Sequence, residues 1–382
     1  RCSLVALSRE QTWLAGPDGF TLNKIFEGWM TNLVRTPFSE ISLTEPFFDS
    51  LKADYAEFPT WFQKKADSGE SAYLYKTKTK GLVGFLYVKT EMGKVTDINP
   101  PLKAGVHLKI GTMKIDAHGT KLGERFIKKV FDHAFEVQAD DAYVTVFAKH
   151  QGLIDLYTRY GFEPYAVKDG PNGQEMVLLK SFHKVKNDIL LDYPRIKAND
   201  VTIGLLAIYP EYHSKFLPDS ILKNEDFSIL DDVSHANSIH KIYVSGIAAA
   251  GKLTRGDLLV IYRTSDGKGP ALYRSVATSI GVVEEVRRIK SFATLTEFLK
   301  YAGPYSIFPK EKLTELYAKK KHHNMIKFTY NIALRRRLIR QRLIEEVGLA
   351  AGTRRWDFFK LSRKQFDLIF ELGQAHESYL VD

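Results

Sequence analysis

The stretch that decides the fold reads His107-Leu108-Lys109-Ile110-Gly111-Thr112-Met113-Lys114-Ile115, then Asp116-Ala117-His118-Gly119-Thr120-Lys121-Leu122-Gly123-Glu124. Val106–Ile115 reads as a strand. Over Lys121–Val137, the residues Leu122, Phe126, Ile127, Val130, Phe131 and Ala134 recur on one side of a helix. A strand feeding a glycine-containing turn and then a helix start gathers several unpaired backbone N–H groups at one point. The helix dipole adds about half a positive charge there, which suits a pyrophosphate. Gly119 and Gly123 let phosphate oxygens approach the backbone, and Lys121 adds a cation. A glycine at a helix start is also found in ordinary turns, so the surrounding elements decide the reading.

Downstream, Tyr143–Phe147 reads as a short buried strand and Leu153–Arg159 as a helix. The helix lies within His150-Gln151-Gly152-Leu153-Ile154-Asp155-Leu156-Tyr157-Thr158-Arg159-Tyr160-Gly161-Phe162, and Met176–Leu179 is a last strand. Upstream, Ser42 or Thr44 can start a helix. Phe47, Leu51, Tyr55, Trp61 and Phe62 lie on its apolar side and that of a second helix, with Pro59 as a break. Ala72–Tyr75 and Leu82–Val88 form a hairpin through the polar link Lys76–Gly81. This order resembles the GNAT family of N-acetyltransferases over roughly residues 38–182. That family writes its loop Arg/Gln-x-x-Gly-x-Gly/Ala. Here His118 stands at the Arg/Gln position, Lys121 at the middle glycine and Gly123 at the last, while Tyr157-x-x-x-Gly161-Phe162 is intact.

The resemblance implies acetyl-CoA or another acyl-CoA as co-substrate. It places backbone groups near Met113 and Ile115 along the pantetheine arm. It places the pyrophosphate on the loop, from His118 and Gly119 through Thr120, Lys121 and Leu122 to Gly123. Tyr157 takes the general-acid position, since a phenol of pKa about 10 suits reprotonation of a thiolate. Core packing beside Leu156 and Phe162 is the alternative for that residue. His150 stands where the family often has Asn beside the CoA arm, and is otherwise a surface histidine. The base stays open: Val106–Ile115 carries no acidic residue, which leaves His107 or Asp97.

Past a linker at Lys184–Asn199 a second pattern begins. Strands are expected at Thr202–Ile208, His240–Ser245, Leu258–Tyr262, Ser275–Val286 and Met325–Tyr330. Helices are expected at Thr296–Tyr301, Lys310–Lys320, Leu338–Val347 and Arg363–Leu372, with Ser362 as the last N-cap. The runs Gly256–Arg263 and Tyr273–Val286 resemble the PUA-like superfamily, which includes ASCH and EVE domains, over about residues 195–380. Small barrels of that group often contact RNA. Aromatics with nearby Arg can stack a base and pair its phosphates, and Tyr243, Tyr262, Arg263, Tyr273 and Arg274 are the candidates, with strand packing as the alternative. Lys319, Lys320, Arg336 and Arg340 belong to an outer basic set. A helix starting near Arg336 puts Arg336 and Arg340 on one face. His322 and His323 have no carboxylate or Cys at ligand spacing, so no metal site is expected.

The chain has 382 residues, enough for two or three domains. Its 44% hydrophobic and 26% charged residues exclude wholesale disorder and fibrous composition. The net charge of +10 is uneven: Tyr301–Lys364 carries 16 Lys+Arg against 5 Asp+Glu, and the rest sums to −1. A polyanionic partner for that basic segment follows, a solvated face being the alternative. Cys2 is the single cysteine, which excludes an internal disulfide. No apolar run approaches the length of a membrane span, and no signal peptide is apparent; a cytoplasmic setting is the expectation.

The expected fold class is α/β (α+β). An extension covers residues 1–37, with short helices between Trp13 and Met30. A GNAT-type mixed sheet flanked by helices covers 38–184, and a PUA-like β-barrel with helices covers 195–382. The expected function is direct acetyl transfer to an amine on RNA, tRNA or a nucleobase. The alternatives are a protein or small-molecule amine acetyltransferase, and a non-catalytic nucleic-acid-binding regulator. A protein partner such as an antitoxin is a further possibility.

Overall fold

The computed structural model describes residues 33–77, 80–116, 119–223, 225, 232–319, 323–351 and 356–381. The helices expected between Trp13 and Met30 lie outside them.

The first sheet is built in chain order. β1 (Leu33–Pro37) precedes two helices, α1 (Asp49–Asp54) and α2 (Phe58–Asp67). Then come β2 (Ser71–Thr77), β3 (Gly81–Val95), β4 (Leu102–Ile115), α3 (Leu122–Glu136), β5 (Asp141–Val146), α4 (Gln151–Arg159), β6 (Glu163–Gly170) and β7 (Gly173–Ser181). The strand order is β1-β2-β3-β4-β5-β7-β6. β4 and β5 run parallel, so a crossover is required, and α3 supplies it. The expected hairpin pairs Tyr73 with Leu86. β1, which the sequence reading left in the N-terminal extension, is an edge strand on β2.

The Tyr-x-x-x-Gly-Phe turn has a local physical cause. Gly161 sits at φ +87°, and a Cβ there would overlap the Leu191 carbonyl oxygen. The Lys180 ammonium, 2% exposed, donates to Tyr160 O at 2.6 Å and Leu191 O at 2.8 Å, which ties the turn to the following segment. Burial lowers the Lys180 pKa to about 7. Gly161→Ala combines left-handed strain with overpacking, so it is expected to cost about 3 kcal/mol. A fall in unfolding free energy in urea checks this, and an unchanged midpoint would refute it.

The second half holds β8 (Ile196–Lys197), β9 (Ile203–Ile208), α5 (Pro210–Phe216), α6 (Ser234–Asn237), β10 (His240–Ser245), β11 (Leu258–Arg263), α7 (Ala271–Arg274) and β12 (Val276–Arg288). It continues with α8 (Leu295–Ala302), α9 (Lys310–Lys319), β13 (Asn324–Ile339), α10 (Arg340–Glu345), β14 (Phe358–Leu361), α11 (Arg363–Leu372) and β15 (Leu380–Val381). Six strands pair as an open ladder, β10-β13-β12-β11-β9-β14, with β9 parallel to β11. The Gly-Asp turn is functional in folding: the Asp257 carboxylate accepts from the amides of Thr202 (2.9 Å) and Thr254 (2.7 Å), closing the entry to β9 and β11. Ser362 caps α11 in a reciprocal box with Gln365.

One expectation is corrected here. The helix placed at Leu338–Val347 begins only at Arg340, because β13 continues along β12 to pair Leu338 with Ala277 and Ile339 with Val276. Arg336 therefore lies in a strand and Arg340 opens α10, so the two share no helix face. A run of β-compatible apolar residues after three arginines fits either period, and the ladder with β12 decides it.

The two sheets share one buried core. Phe131, Tyr160 and Tyr193 belong to the same apolar cluster as Ile203, Ile239 and Leu334. Polar stitches reinforce it: Glu124 on α3 accepts from Ser238 Oγ at 2.5 Å and from the Ile239 amide at 3.0 Å.

Candidate active site

The geometry follows from where β4 and β5 stop pairing. Their parallel register runs from His107 opposite Asp141 to Ile110 opposite Val144. β4 continues to Ile115 and β5 to Val146, and beyond Ile110 the strands part. An extra residue, Gly111, bulges β4 at that point, since Tyr87 pairs with Thr112 and Val88 with Ile110. Among the described residues, the β5-facing edge of Gly111–Ile115 thus has no strand partner, and it borders a cavity of about 820 Å³. Met113, Ile115, the loop Gly119–Gly123, His150–Leu153 and Tyr157 all line this cavity. An unpaired strand edge is a template for an extended amide-bearing chain.

The loop is shaped from the other half of the molecule. Ser234 Oγ donates to Gly119 O at 2.9 Å, and Asn237 Nδ2 donates to Thr120 O at 3.0 Å. In a planar trans peptide the N–H points opposite to its C=O. Drawing these two carbonyls toward α6 therefore aims the Thr120 and Lys121 amides the other way. Lys121, at φ 58°, adopts the left-handed conformation directly before α3. Its ammonium lies 4.8 Å over the Tyr305 ring and 3.5 Å from Glu124. The cation expected for the phosphate is thus engaged by Tyr305 and Glu124, and the loop offers amides and the helix dipole. His118 lies outside the described residues.

Tyr157 is 1% exposed, and its hydroxyl meets Met113 Sδ at 3.6 Å across the cavity wall. Burial raises its pKa, so the phenol stays protonated and serves as a donor only. His150 lies on the cavity rim with Nε2 3.0 Å from Asp54 Oδ2.

The opposite end of the cavity carries carboxylates that sequence reasoning missed. Asp54, Glu57 and Glu175 line it together with Tyr55. Glu175 is 9% exposed and accepts from Tyr55 Oη at 2.8 Å. Burial, and then the Glu175 charge, raise the Tyr55 pKa. Glu175 pairs in register with Lys168, which reaches Asp97 at 2.6 Å, near the Lys109 end of β4. From residue 109 to 115 a strand rises about 20 Å, so carboxylates and loop face each other across the length of the cleft. In the sequence Glu175 is one acid heading a short apolar strand, with no local signal.

The structure places both candidate bases elsewhere. His107 does not line the cavity. Its Nδ1 is 2.9 Å from Asp141 Oδ1, and its Nε2 is 3.0 Å from Gly93 O and 2.9 Å from Lys103 O, so neither nitrogen is free. Burial alone would lower its pKa, but Asp141 and the two carbonyls outweigh burial and raise it. A raised folded-state pKa gives stability that is complete below about pH 6.5 and is lost as pH rises through the folded value. His107→Gln is expected to flatten the fall in stability as pH rises above about 6.5, read from urea unfolding at several pH values. Asp97 is half exposed and outside the cavity lining. Burial is outweighed by its bonds and charges to Lys168 and Lys109, which hold its pKa low and make it a poor base.

The basic residues separate into distinct places. Alternation at the end of β11 sends Tyr262, and Thr264 just beyond the strand, into a cavity that Arg340 also lines, while Arg263 enters another with Arg274 and Arg336. Arg263 is buried and bonds Glu225 at 2.9 Å, and Arg274 bonds Asp266 at 2.5 Å. Lys319 is exposed and ion-paired with Glu315, and Lys320 lies outside the described residues. Among the described residues no cluster of His, Cys, Asp and Glu could hold a metal ion. Among them, too, no helix is long and apolar enough to cross a membrane.

No family model matches the chain, and no curated protein matches it. Solved structures are similar in part. ASCH from Zymomonas mobilis aligns over 44% of this chain and 94% of its own, at 9% identity and TM-score 0.30. A GNAT family acetyltransferase from Elizabethkingia anophelis with acetyl-CoA bound aligns over 39% and 98%, at 13% identity and TM-score 0.29. Arabidopsis thaliana NAA60 in complex with acetyl-CoA aligns over 40% and 99%, at 17% identity and TM-score 0.30.

Proposed function

We propose that the chain transfers an acetyl group from acetyl-CoA to an amine, and that RNA carries the amine. One observation carries the donor half of this reading: the unpaired edge of β4, the start of α3 and the Tyr157 hydroxyl converge on one cavity. The residues fit the donor part by part. The Thr120–Gly123 backbone would accept the pyrophosphate, Gly111–Ile115 would pair with the amides of the pantetheine arm, and Tyr157, beside Met113 on the same cavity, would face the thioester sulfur.

The chemistry then assigns roles at the far end. Glu57 and Glu175 receive a cationic amine there, while Asp54 is already ion-paired with Lys149 and lies 3.0 Å from His150. Glu175, held by Tyr55, takes its proton directly or through one water. The freed nitrogen bonds the acetyl carbonyl carbon and gives up a second proton to water, the C–S bond breaks, and Tyr157 donates its proton to the departing thiolate. Solvent entering the cleft restores the phenol proton. Glu175→Gln is expected to lower kcat about 10²-fold at neutral pH, read by thiol release from acetyl-CoA. A rate within about twofold of the parent would remove Glu175 from this role.

The acceptor reading rests on the +11 segment and on the arginines around β11 and β13. Radiolabelled acetyl-CoA incubated with the full chain and total lysate tests it. Label in RNase-sensitive material supports an RNA acceptor, and label only in protease-sensitive material overturns it.

A further inference from the structure

We propose that Lys109 is itself an acetyl acceptor: when no other amine is present, the chain transfers an acetyl group to its own Lys109 Nζ. The inference rests on the transferase reading above for the donor. It goes beyond that reading by assigning a modification site within the chain.

Position comes first. Lys109 lies on β4 opposite Tyr143, one residue before Ile110, where pairing with β5 ends. Gly111, the start of the unpaired edge, is about 7 Å further along the strand, close to the reach of a lysine's flexible four-carbon stem. Lys109 lines the same cavity as that edge, Tyr157 and Glu175. An amine of the chain therefore already stands at the acceptor end of the cleft.

Freedom to move singles it out. Five lysines line the cavity, and four of them are engaged. Lys114 donates to Ser50 Oγ at 2.6 Å, and Lys121 sits over Tyr305 beside Glu124. Lys149 bonds Asp54 at 2.5 Å, and Lys168 bonds Asp97 at 2.6 Å. The Lys109 ammonium is 3.9 Å from Asp97, beyond hydrogen-bond length, and lies 5.3 Å over the Tyr143 ring. A rotamer change that carries it to the thioester breaks only that long ion pair and the ring contact. The side chain is also 19% exposed, and the neutral amine is the nucleophile. Burial, and then the Lys168 charge, lower the Lys109 pKa against the opposing pull of Glu91 and Asp97.

The step balances as an ordinary aminolysis. The ammonium gives one proton to water. Nζ then bonds the acetyl carbonyl carbon and gives a second proton to water. The C–S bond breaks, Tyr157 protonates the departing thiolate, and solvent restores the phenol. The products are acetyl-lysine, the CoA thiol and one released proton. The modified residue is uncharged, so it no longer holds down the pKa values of Glu91 and Asp97. It also leaves an acetamide at the acceptor end, and an amine bound there competes with the self-transfer.

The test incubates the full chain with acetyl-CoA and no amine, and follows its lysines by peptide mass spectrometry. Lys109 is expected to be acetylated at least about tenfold faster than the exposed Lys149, at a rate independent of chain concentration, and about 10²-fold more slowly in Tyr157→Phe. Lys109→Arg keeps the cation and should lose the modification while still binding desulfo-CoA in calorimetry. An unmodified Lys109 in the parent chain overturns the inference. Thiol release with total lysate then keeps the transferase reading, and its absence removes that as well. A rate that grows with chain concentration makes the transfer intermolecular and overturns the inference. Equal labelling of Lys149, or of the Tyr157→Phe chain, marks uncatalysed acetylation and overturns it too.

Discussion

Tyr157→Phe is expected to lower kcat about 10²- to 10³-fold and to leave acetyl-CoA affinity within about threefold. The substitution deletes one oxygen from a fully buried ring. The ring keeps its contacts with Phe162, 5.2 Å away, so the fold has little reason to change. What disappears is the donor that meets the departing sulfur. A thiolate leaving without this donor must find its proton from water. Burial holds the phenol well above its usual pKa, so it cannot also act as the base. The parent's pH–rate profile should therefore show no alkaline limb from this residue below about pH 10. Acetyl-CoA consumption measured from pH 6 to 10, with binding measured separately, separates the two effects. A variant with the parent's kcat would show that the hydroxyl takes no part in transfer, and a variant with equal kcat and weakened binding would make Tyr157 a packing residue.

Much of this cleft is legible in the sequence because its parts are local. A β-rich run ending at Ile115, two glycines and the apolar period from Leu122 lie in one continuous stretch. Gly161 declares itself, because no other residue tolerates φ +87° against the Leu191 carbonyl. The proposed base is illegible for the opposite reason. Glu175 and Tyr55 are 120 positions apart and meet only when β7 is laid beside β5. His107 misled because imidazole chemistry is visible in a sequence, whereas its lock between Asp141, Gly93 O and Lys103 O is not. The basic segment misled in a further way. The sequence reading sets Arg263 and Arg274 among stacking aromatics and Arg336 with Arg340 on one helix face. Strand alternation and ion pairs divide them between two cavities.

The phosphate loop raises the last question, because Lys121 occupies a position where the resembling family has glycine. A lysine at φ 58° costs backbone strain of about 1 kcal/mol or more. Something must hold it there, and the bonds come from α6, more than a hundred residues downstream. Ser234 and Asn237 fix the carbonyls of Gly119 and Thr120, and Ser238 fixes Glu124 one turn into α3. On the proposed reading the second half then helps to build the donor site. Removing two neutral hydrogen bonds of about 1 kcal/mol each should cost a factor of about 10 to 30 in affinity. The Ser234→Ala, Asn237→Ala double variant is thus expected to weaken acetyl-CoA binding by that factor with kcat at saturation nearly kept, since neither side chain reaches the reacting atoms. Asn237→Asp should weaken it further, because a carboxylate behind the loop opposes the pyrophosphate charge. Calorimetric titration with acetyl-CoA and with desulfo-CoA reads the affinity free of turnover. If both variants bind as the parent does, the contacts only pack two halves together, and the loop must be organised by its own backbone.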